Sequence, residues 1–242
     1  MQKSNIITAV IVGIAFVVGL GALANGVGKV RRSPEPLINV TGMAERNFTS
    51  DLAVWSARYE VMRFDMQQAF ADLAGKRAQV KKFLQSKGIA EDKVEYSSVS
   101  IDRRYDKEGY CDQKVFVGFA LSQSITITSN NIEEVENLSR SITELINEGV
   151  EIYSESPQFY YTKLNQLKIE MLKAASEDAY NRAAVVAEGG KGSLGKLVKS
   201  DVGVFQIVGL NSNEDYSWGG SFNTSSKEKT ASVTVRSSYR VK

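Results

Sequence analysis

The sequence predicts an α+β fold, a split β-α-β-β-α-β core extended by a long third helix and C-terminal strands. Three observations carry that expectation. Apolar residues alternate with period two over 52–62 and 115–127, the signature of half-buried strands. They recur at spacings near 3.6 in the stretches after Asp65, Asn131 and Thr162, the signature of amphipathic helices. The order of these segments along 52–161 is that of the split βαβ arrangement. With 242 residues, 43% of them hydrophobic and 24% charged, the chain is long and apolar enough to bury a sizeable core.

The elements follow in order. Ile38–Glu45 reads as a strand ending near a turn. Leu52–Met62 is a strand with Ala53, Trp55, Ala57, Tyr59 and Val61 on one face. Asp65 is placed as an N-cap with Gln68 three residues on, and Met66, Phe70, Leu73, Val80 and Leu84 form the apolar stripe of a helix that Lys87-Gly88 ends. Val94–Tyr105 alternates weakly and is expected as a strand. Val115, Val117, Phe119, Leu121, Ile125 and Ile127 mark a long one. Asn131, with Glu133 and Glu134, opens a second helix carrying Val135, Leu138, Ile142 and Leu145, and Gly149 closes it. Val150–Tyr161 is expected as a strand at a sheet edge, because Pro157 has no N–H to give a ladder. The third helix covers Lys163–Glu188 with Leu164, Leu167, Met171, Ala175 and Ala179 on one stripe, and stops at Gly189-Gly190. Leu197–Val208 and Ala231–Val241 are closing strands, the latter alternating Val233, Val235, Tyr239 and Val241. Between them Gly209–Lys229 is a long polar loop holding Tyr216, Trp218 and Phe222.

The N-terminal region stands apart. Ile6–Ala24 runs without a charge for 19 residues, and a helix of that length spans roughly 28 Å, close to the hydrocarbon thickness of a bilayer. Residues 1–28 are read as a signal anchor or signal peptide, 29–37 as a linker stiffened by Pro34 and Pro36, and 38–242 as the folded domain. Ala22-Leu23-Ala24 also fits a small-x-small cleavage site. The apolar run exceeds a usual signal-peptide core, which favours a retained anchor, with cleavage after Ala24 as the alternative. Flanking charge slightly favours the C-terminal side inside, whereas an export signal places the domain outside. Residues 1–33 hold Lys3, Lys29, Arg31 and Arg32 and no acidic residue, leaving 26 basic against 28 acidic residues in the rest. The basicity belongs to the tether, so the domain has no global charge for a nucleic-acid partner.

Composition narrows the chemistry. The chain has no His, which removes His-based acid–base catalysis, Ser/His and Cys/His pairs and most catalytic zinc sites. A single Cys, Cys111, removes any intrachain disulfide or Cys-x-x-Cys centre. No cofactor, metal site or catalytic residue is expected.

Ile38-Asn-Val-Thr-Gly-Met-Ala-Glu45, followed by Ser50-Asp51-Leu-Ala, resembles the opening of the SIMPL domain family, also called DUF541. That opening is an I-x-V-x-G-x-G/A-E strand followed by a Pro-Asp pair; here Ser50 replaces the proline and Asp51 keeps the acid. The likeness continues through the small residues Ala174, Ala175, Ala179, Ala183, Ala184 and Ala187 into Leu194-Gly195-Lys-Leu-Val198. The resemblance spans nearly all of residues 38–242. It implies an exported or membrane-tethered bacterial protein with no established catalytic positions. The eukaryotic member that named the family is associated with a signalling kinase, which implies binding rather than chemistry.

Several local patterns invite other functions. Val117-Gly118-Phe119-Ala120-Leu121 matches part of an RNA-recognition strip, but Val117 lacks the expected charge and Ser122 and Ser124 stand where apolar and aromatic residues belong. Gly189-Gly-Lys-Gly-Ser193 runs from helix to strand, the reverse of a phosphate loop, and reads as a helix cap. Asp102, Asp106, Glu108 and Asp112 miss calcium-loop spacing and are offset by Arg103, Arg104, Lys107 and Lys114. Cys111 in the same hairpin has no His to serve as base. The functional expectation is therefore a non-enzymatic binding or self-assembling module of the bacterial cell envelope. A homo-oligomer is expected, with membrane contact through residues 6–24, an envelope protein as a further partner, and Tyr216, Trp218 and Phe222 as candidate contacts, the alternative being that these three fold back as a small satellite cluster. The alternative is an envelope enzyme or redox-responsive protein using Cys111 or the Asp102 and Asp106 carboxylates.

Overall fold

The computed structural model describes residues 13–14, 16–20, 36–107 and 114–242. Residues 13–14 and 16–20 are helical, and Ile14, Phe16, Val17, Val18 and Leu20 are all exposed. Among the described residues no helix is long and apolar enough to cross a membrane; most of Ile6–Ala24, with the Ala24 cleavage site, lies outside them.

The expected α+β class holds, with two sheets and three α-helices after residue 36. The strands are β1 (Leu37–Thr49), β2 (Leu52–Arg63), β3 (Val94–Tyr96), β4 (Ser100–Lys107), β5 (Lys114–Ser129), β6 (Glu151–Ser154), β7 (Gln158–Tyr160), β8 (Leu194–Val202), β9 (Gln206–Gly209), β10 (Ser221–Phe222) and β11 (Glu228–Val241). The helices are α1 (Met66–Ser86), α2 (Ile132–Ser141) and α3 (Leu164–Gly189). Two compact units form. Of the described residues, the smaller takes those up to Gly42 with Ala179–Asp201 and Arg236–Lys242, and the larger takes Met43–Asp178 and Val202–Val235.

In the larger unit a six-stranded sheet has the order β3-β5-β2-β6, with β4 also on β5 and β7 also on β2. The pairing of β2 with β5 is antiparallel from Ala53↔Ser129 to Arg63↔Phe119. That register sets Trp55, Ala57, Tyr59 and Val61 beside Ile127, Ile125 and Leu121 on one face, where α1 and α2 cover them. The predicted alternation of β2 thus becomes the core face. The Asp65 carboxylate accepts from the Gln68 N–H at 2.8 Å and starts α1 as a cap does. The buried stripe of α1 is Ala69, Leu73, Val80, Phe83 and Leu84. Met66 and Phe70 do not join it. Met66 lies in the first turn, and Phe70 is one residue, about 100°, round from Ala69 and 58% exposed.

Other expectations need correction at their ends and middles. The strand foreseen over Val94–Tyr105 is two, β3 and β4, both paired with β5, with Ser97 between them donating its N–H to the Ser124 carbonyl. The second helix passes into a 3-10 turn over Ile142–Glu148, which still buries Ile142 and Leu145 before Gly149 ends it at φ 75°. Val150–Tyr161 divides into β6 and β7 around Pro157, and both pieces pair with the outer side of β2. Leu197–Val208 likewise divides into β8 and β9, and the first begins at Leu194. A five-stranded sheet has the order β1-β11-β9-β10, with β8 also on β11. Within the larger unit, Leu167, Met171 and Ala175 of α3 pack on Ile207, Ala231, Val233 and Val235 in a second core.

In the smaller unit Ala179, Ala183 and Ala187 of α3 are buried, and the Tyr180 ring meets Tyr239 of β11 edge-on at 6.1 Å. The helix ends as a cap, as the glycines predict, but Lys191 rather than a glycine takes the left-handed conformation, at φ 58°. The Gly192 N–H closes the turn on the Ala187 carbonyl at 2.9 Å.

Candidate functional site

The Gly209–Lys229 segment is not a loose loop. Its base is β9, whose four residues are all buried. From there the Gln206 side chain reaches back as a two-point clamp, donating Nε2–H to the Ser217 carbonyl at 2.7 Å and accepting from the Ser217 N–H at 3.2 Å. The Gly220 N–H donates to the same Ser217 carbonyl at 3.0 Å, and Gly220 sits at φ 92°. A Cβ there would stand 2.8 Å from the Phe205 carbonyl oxygen, so only glycine fits. Two residues of β10 then run parallel to β9 at Gln206 and Ile207, and the Asn223 N–H donates to the Ile207 carbonyl at 2.9 Å. Glu214 accepts from the Asn223 side-chain amide, and Asn223 Oδ1 accepts from the Ser226 N–H at 2.8 Å.

This framework fixes where the three predicted aromatics go. Trp218, held between Ser217 and Gly219, is fully exposed at 102% of its reference area. Tyr216 and Phe222 are exposed as well, and Phe222 has a described ring neighbour, Tyr160 at 6.4 Å. The aromatics do not fold back as one cluster. With its backbone tied down on either side, the indole leaves only its own side-chain rotamers to be ordered on binding.

The base of the loop holds a residue that the sequence reading passed over. Lys229 is 2% exposed, and its ammonium donates to Ser50 Oγ at 2.7 Å and to the Phe159 carbonyl at 2.6 Å. Burial pulls its pKa down to about 8. The signal was present: odd positions of β11 face inward at Ala231, Val233, Val235, Ser237 and Tyr239, and one further step back reaches Lys229. Ser50, which stands where a proline was expected, serves as the acceptor. Asp51 beside it accepts from the Thr162 N–H and Oγ1–H, both at 2.7 Å, and so orders the approach to α3. A hydroxyl beside an amine of lowered pKa has the elements of a nucleophile and base. Both groups are buried, however, and the arrangement is one that ties strands together.

The remaining candidates lie apart. Asp102 and Asp106 both fall on β4, opposite Ala120 and Val115. Four residues of strand separate their Cα atoms by roughly 13 Å. A register shift between Arg104 and Tyr105 further breaks their common face. Glu108, Cys111 and Asp112 lie outside the described residues. Among the described residues no group of three or more acidic or thiol side chains is arranged to hold a metal. Phe119 packs against the core beneath the helices, with the Arg103 guanidinium 5.9 Å from its ring, so it is not an open stacking platform. Tyr59 is buried on the same face; its hydroxyl donates to Gln123 Oε1 at 2.6 Å, and burial raises its pKa.

No curated protein matches the chain. The family model SIMPL, described as a protein of unknown function (DUF541), matches residues 38–240. That span contains both sheets, the three helices, the clamped aromatic loop and the Ser50–Lys229 contact, and the chain belongs to the SIMPL (DUF541) family.

Proposed function

We propose that this chain is a non-enzymatic binding and self-assembling module of the bacterial cell envelope. Residues 6–24 anchor it in the inner membrane with the domain in the periplasm, or release it there if the segment is cut after Ala24. The observation that carries the reading is Trp218, uncovered on a loop that Gln206 and Gly220 hold in one conformation. Large aromatic side chains on preorganised backbone are typical anchors of protein interfaces. The apolar helical residues 13–14 and 16–20 support the anchor, because each large side chain described there is exposed and needs a covering layer. Self-assembly is supported by the open edges of the five-stranded sheet, where β1 and β8 each pair with β11 alone among the described residues.

The test is the absolute mass in solution, by light scattering after size exclusion, of the chain beginning at Ser33. It is paired with retention of solubilised envelope proteins by the immobilised wild type and by Trp218→Ser. A discrete oligomer supports self-assembly, and a defined partner lost with Trp218→Ser supports the contact loop. A monomer that retains nothing the variant loses would overturn the reading.

A further inference from the structure

Strand β8 is unusual in being exposed along both faces. From Lys196 to Val202 every residue is exposed, including Leu197 on one face and Val198 (50%) and Val202 (59%) on the other. A strand that carries apolar residues on both faces is normally covered on both. Among the described residues β8 has neither cover, and its outer edge has no strand on it.

Which backbone groups face outward follows from the inner pairing. Ser193 and Lys242 exchange both N–H···O bonds at 2.9 Å, and the Gly203 N–H donates to the Thr234 carbonyl at 2.8 Å. The two pairings are out of register by two residues, so the phase is read from the nearer one, with which Ser200 Oγ, 3.2 Å from Ser237 Oγ, agrees. Beside Gly203, Asp201 turns its amide and carbonyl toward β11, and Ser200 and Val202 turn theirs outward. A new antiparallel neighbour there must bond to Ser200 and Val202.

We propose that this neighbour is β8 of a second copy, paired antiparallel about a twofold axis through Ser200. The inference rests on the self-assembly reading above and names its interface. In this register Ser200, whose amide and carbonyl turn outward, faces Ser200 of the second copy. Val198 faces Val202, a β-branched cross-strand pair made twice. Lys199 faces Asp201 and Asp201 faces Lys199, so the ion pair now made within one strand at 2.7 Å becomes a four-charge cluster across two. The sequence Val198-Lys199-Ser200-Asp201-Val202 is thus complementary to its own reverse, as an isologous contact demands. Moving the axis by one residue places Lys199 opposite Lys199 or Asp201 opposite Asp201. Both shifts leave the same outward amides facing the partner, so it is the like-charge pairs that disfavour them and select one register.

The experiment uses the full chain in mild detergent with Cys111→Ser as background. Ser200→Cys is expected to form a covalent dimer with a short bis-maleimide, because its Cα atoms are about 5.5 Å apart across the axis. Lys196→Cys is not, because the corresponding separation is roughly 26 Å. Lys199→Asp is expected to weaken association by about tenfold, and Lys199→Asp with Asp201→Lys to restore it, as read by sedimentation equilibrium. An oligomeric wild type with no Ser200→Cys product and no response to Lys199→Asp overturns this interface and leaves self-assembly standing. A wild type that stays monomeric at all concentrations overturns both.

Discussion

Lys229 makes a prediction that runs against the usual fall of stability in alkali. Its ammonium is buried and bonded to a hydroxyl and a carbonyl, with burial as the sole cause of its lowered pKa. In the unfolded chain the same group titrates near 10.5, and in the folded chain near 8. Between those values the unfolded state holds a proton that the folded state has released, so the unfolding free energy rises with pH. The cost of burying the charge is present in full below about pH 8 and is gone above about pH 10.5, and it amounts to roughly 3 kcal/mol. From about pH 7.5 to 9.5 the gain is about 2 kcal/mol. Tyr59, whose pKa burial raises, acts in the opposite sense but only above pH 10, where the unfolded phenol ionises. Urea unfolding of the chain beginning at Ser33, followed by far-UV circular dichroism at constant ionic strength, measures the slope. Lys229→Met should abolish it and cost little at neutral pH, because loss of the buried charge offsets two acceptors left without a donor. A wild-type stability that is flat or falling over this window, or a slope that survives in Lys229→Met, refutes the reasoning.

Three further outcomes are expected. Gln206→Ala removes both bonds to Ser217; in a Trp55→Phe background the Trp218 fluorescence anisotropy should fall while overall stability changes by about 1–2 kcal/mol. Gly118 has φ 140°, and a Cβ there would lie 2.8 Å from the Arg63 carbonyl oxygen; Gly118→Ala should lower the unfolding free energy by about 1–3 kcal/mol in urea titration. Leu138, buried where α2 meets β2, should cost about 2–5 kcal/mol as Leu138→Ala in the same assay, with no loss of the pH slope.

What was legible in the sequence is what periodicity encodes. Trp55, Ala57, Tyr59 and Val61 declare a face because strand geometry is strictly alternate, and Val135, Leu138, Ile142 and Leu145 do so because 3.6 and 3.0 residues per turn differ little over so short a run. Phe70 was misplaced because an apolar residue beside a stripe is indistinguishable from one within it until the sheet beneath ends. The divided strands were illegible for a different reason. The breaks at 97–99, at 155–157 with Pro157, and at 203–205 end one strand and begin the next without changing chain direction, so each pair of short strands reads as one run. The contact loop was found from composition, but its rigidity depends on Gln206 meeting Ser217, a pairing between residues 11 apart that no local pattern announces. Lys229 was missed because a lysine at an inward position is read as the end of a strand.

The charges of β8 bear on how an exposed strand edge can be both safe and usable. Lysines at sheet edges ordinarily deter pairing, because any neighbour must desolvate them. Lys196 and Lys199 have that effect against a generic strand. Against a reversed copy of itself the same strand offers Asp201 to Lys199 twice, so repulsion becomes attraction for one partner in one register. Specificity here is a difference between partners, with the unfavourable pairs as much a part of it as the favourable ones. Salt should separate the two contributions. Near 1 M salt the Debye length falls to about 3 Å, so the four-charge cluster weakens while the Val198–Val202 pairs persist. Dimers should then still form, but Lys199→Asp should no longer differ from the wild type. A Lys199→Asp defect as large at high salt as at low would show that the side chain acts through shape, and the charge argument for the register would fall.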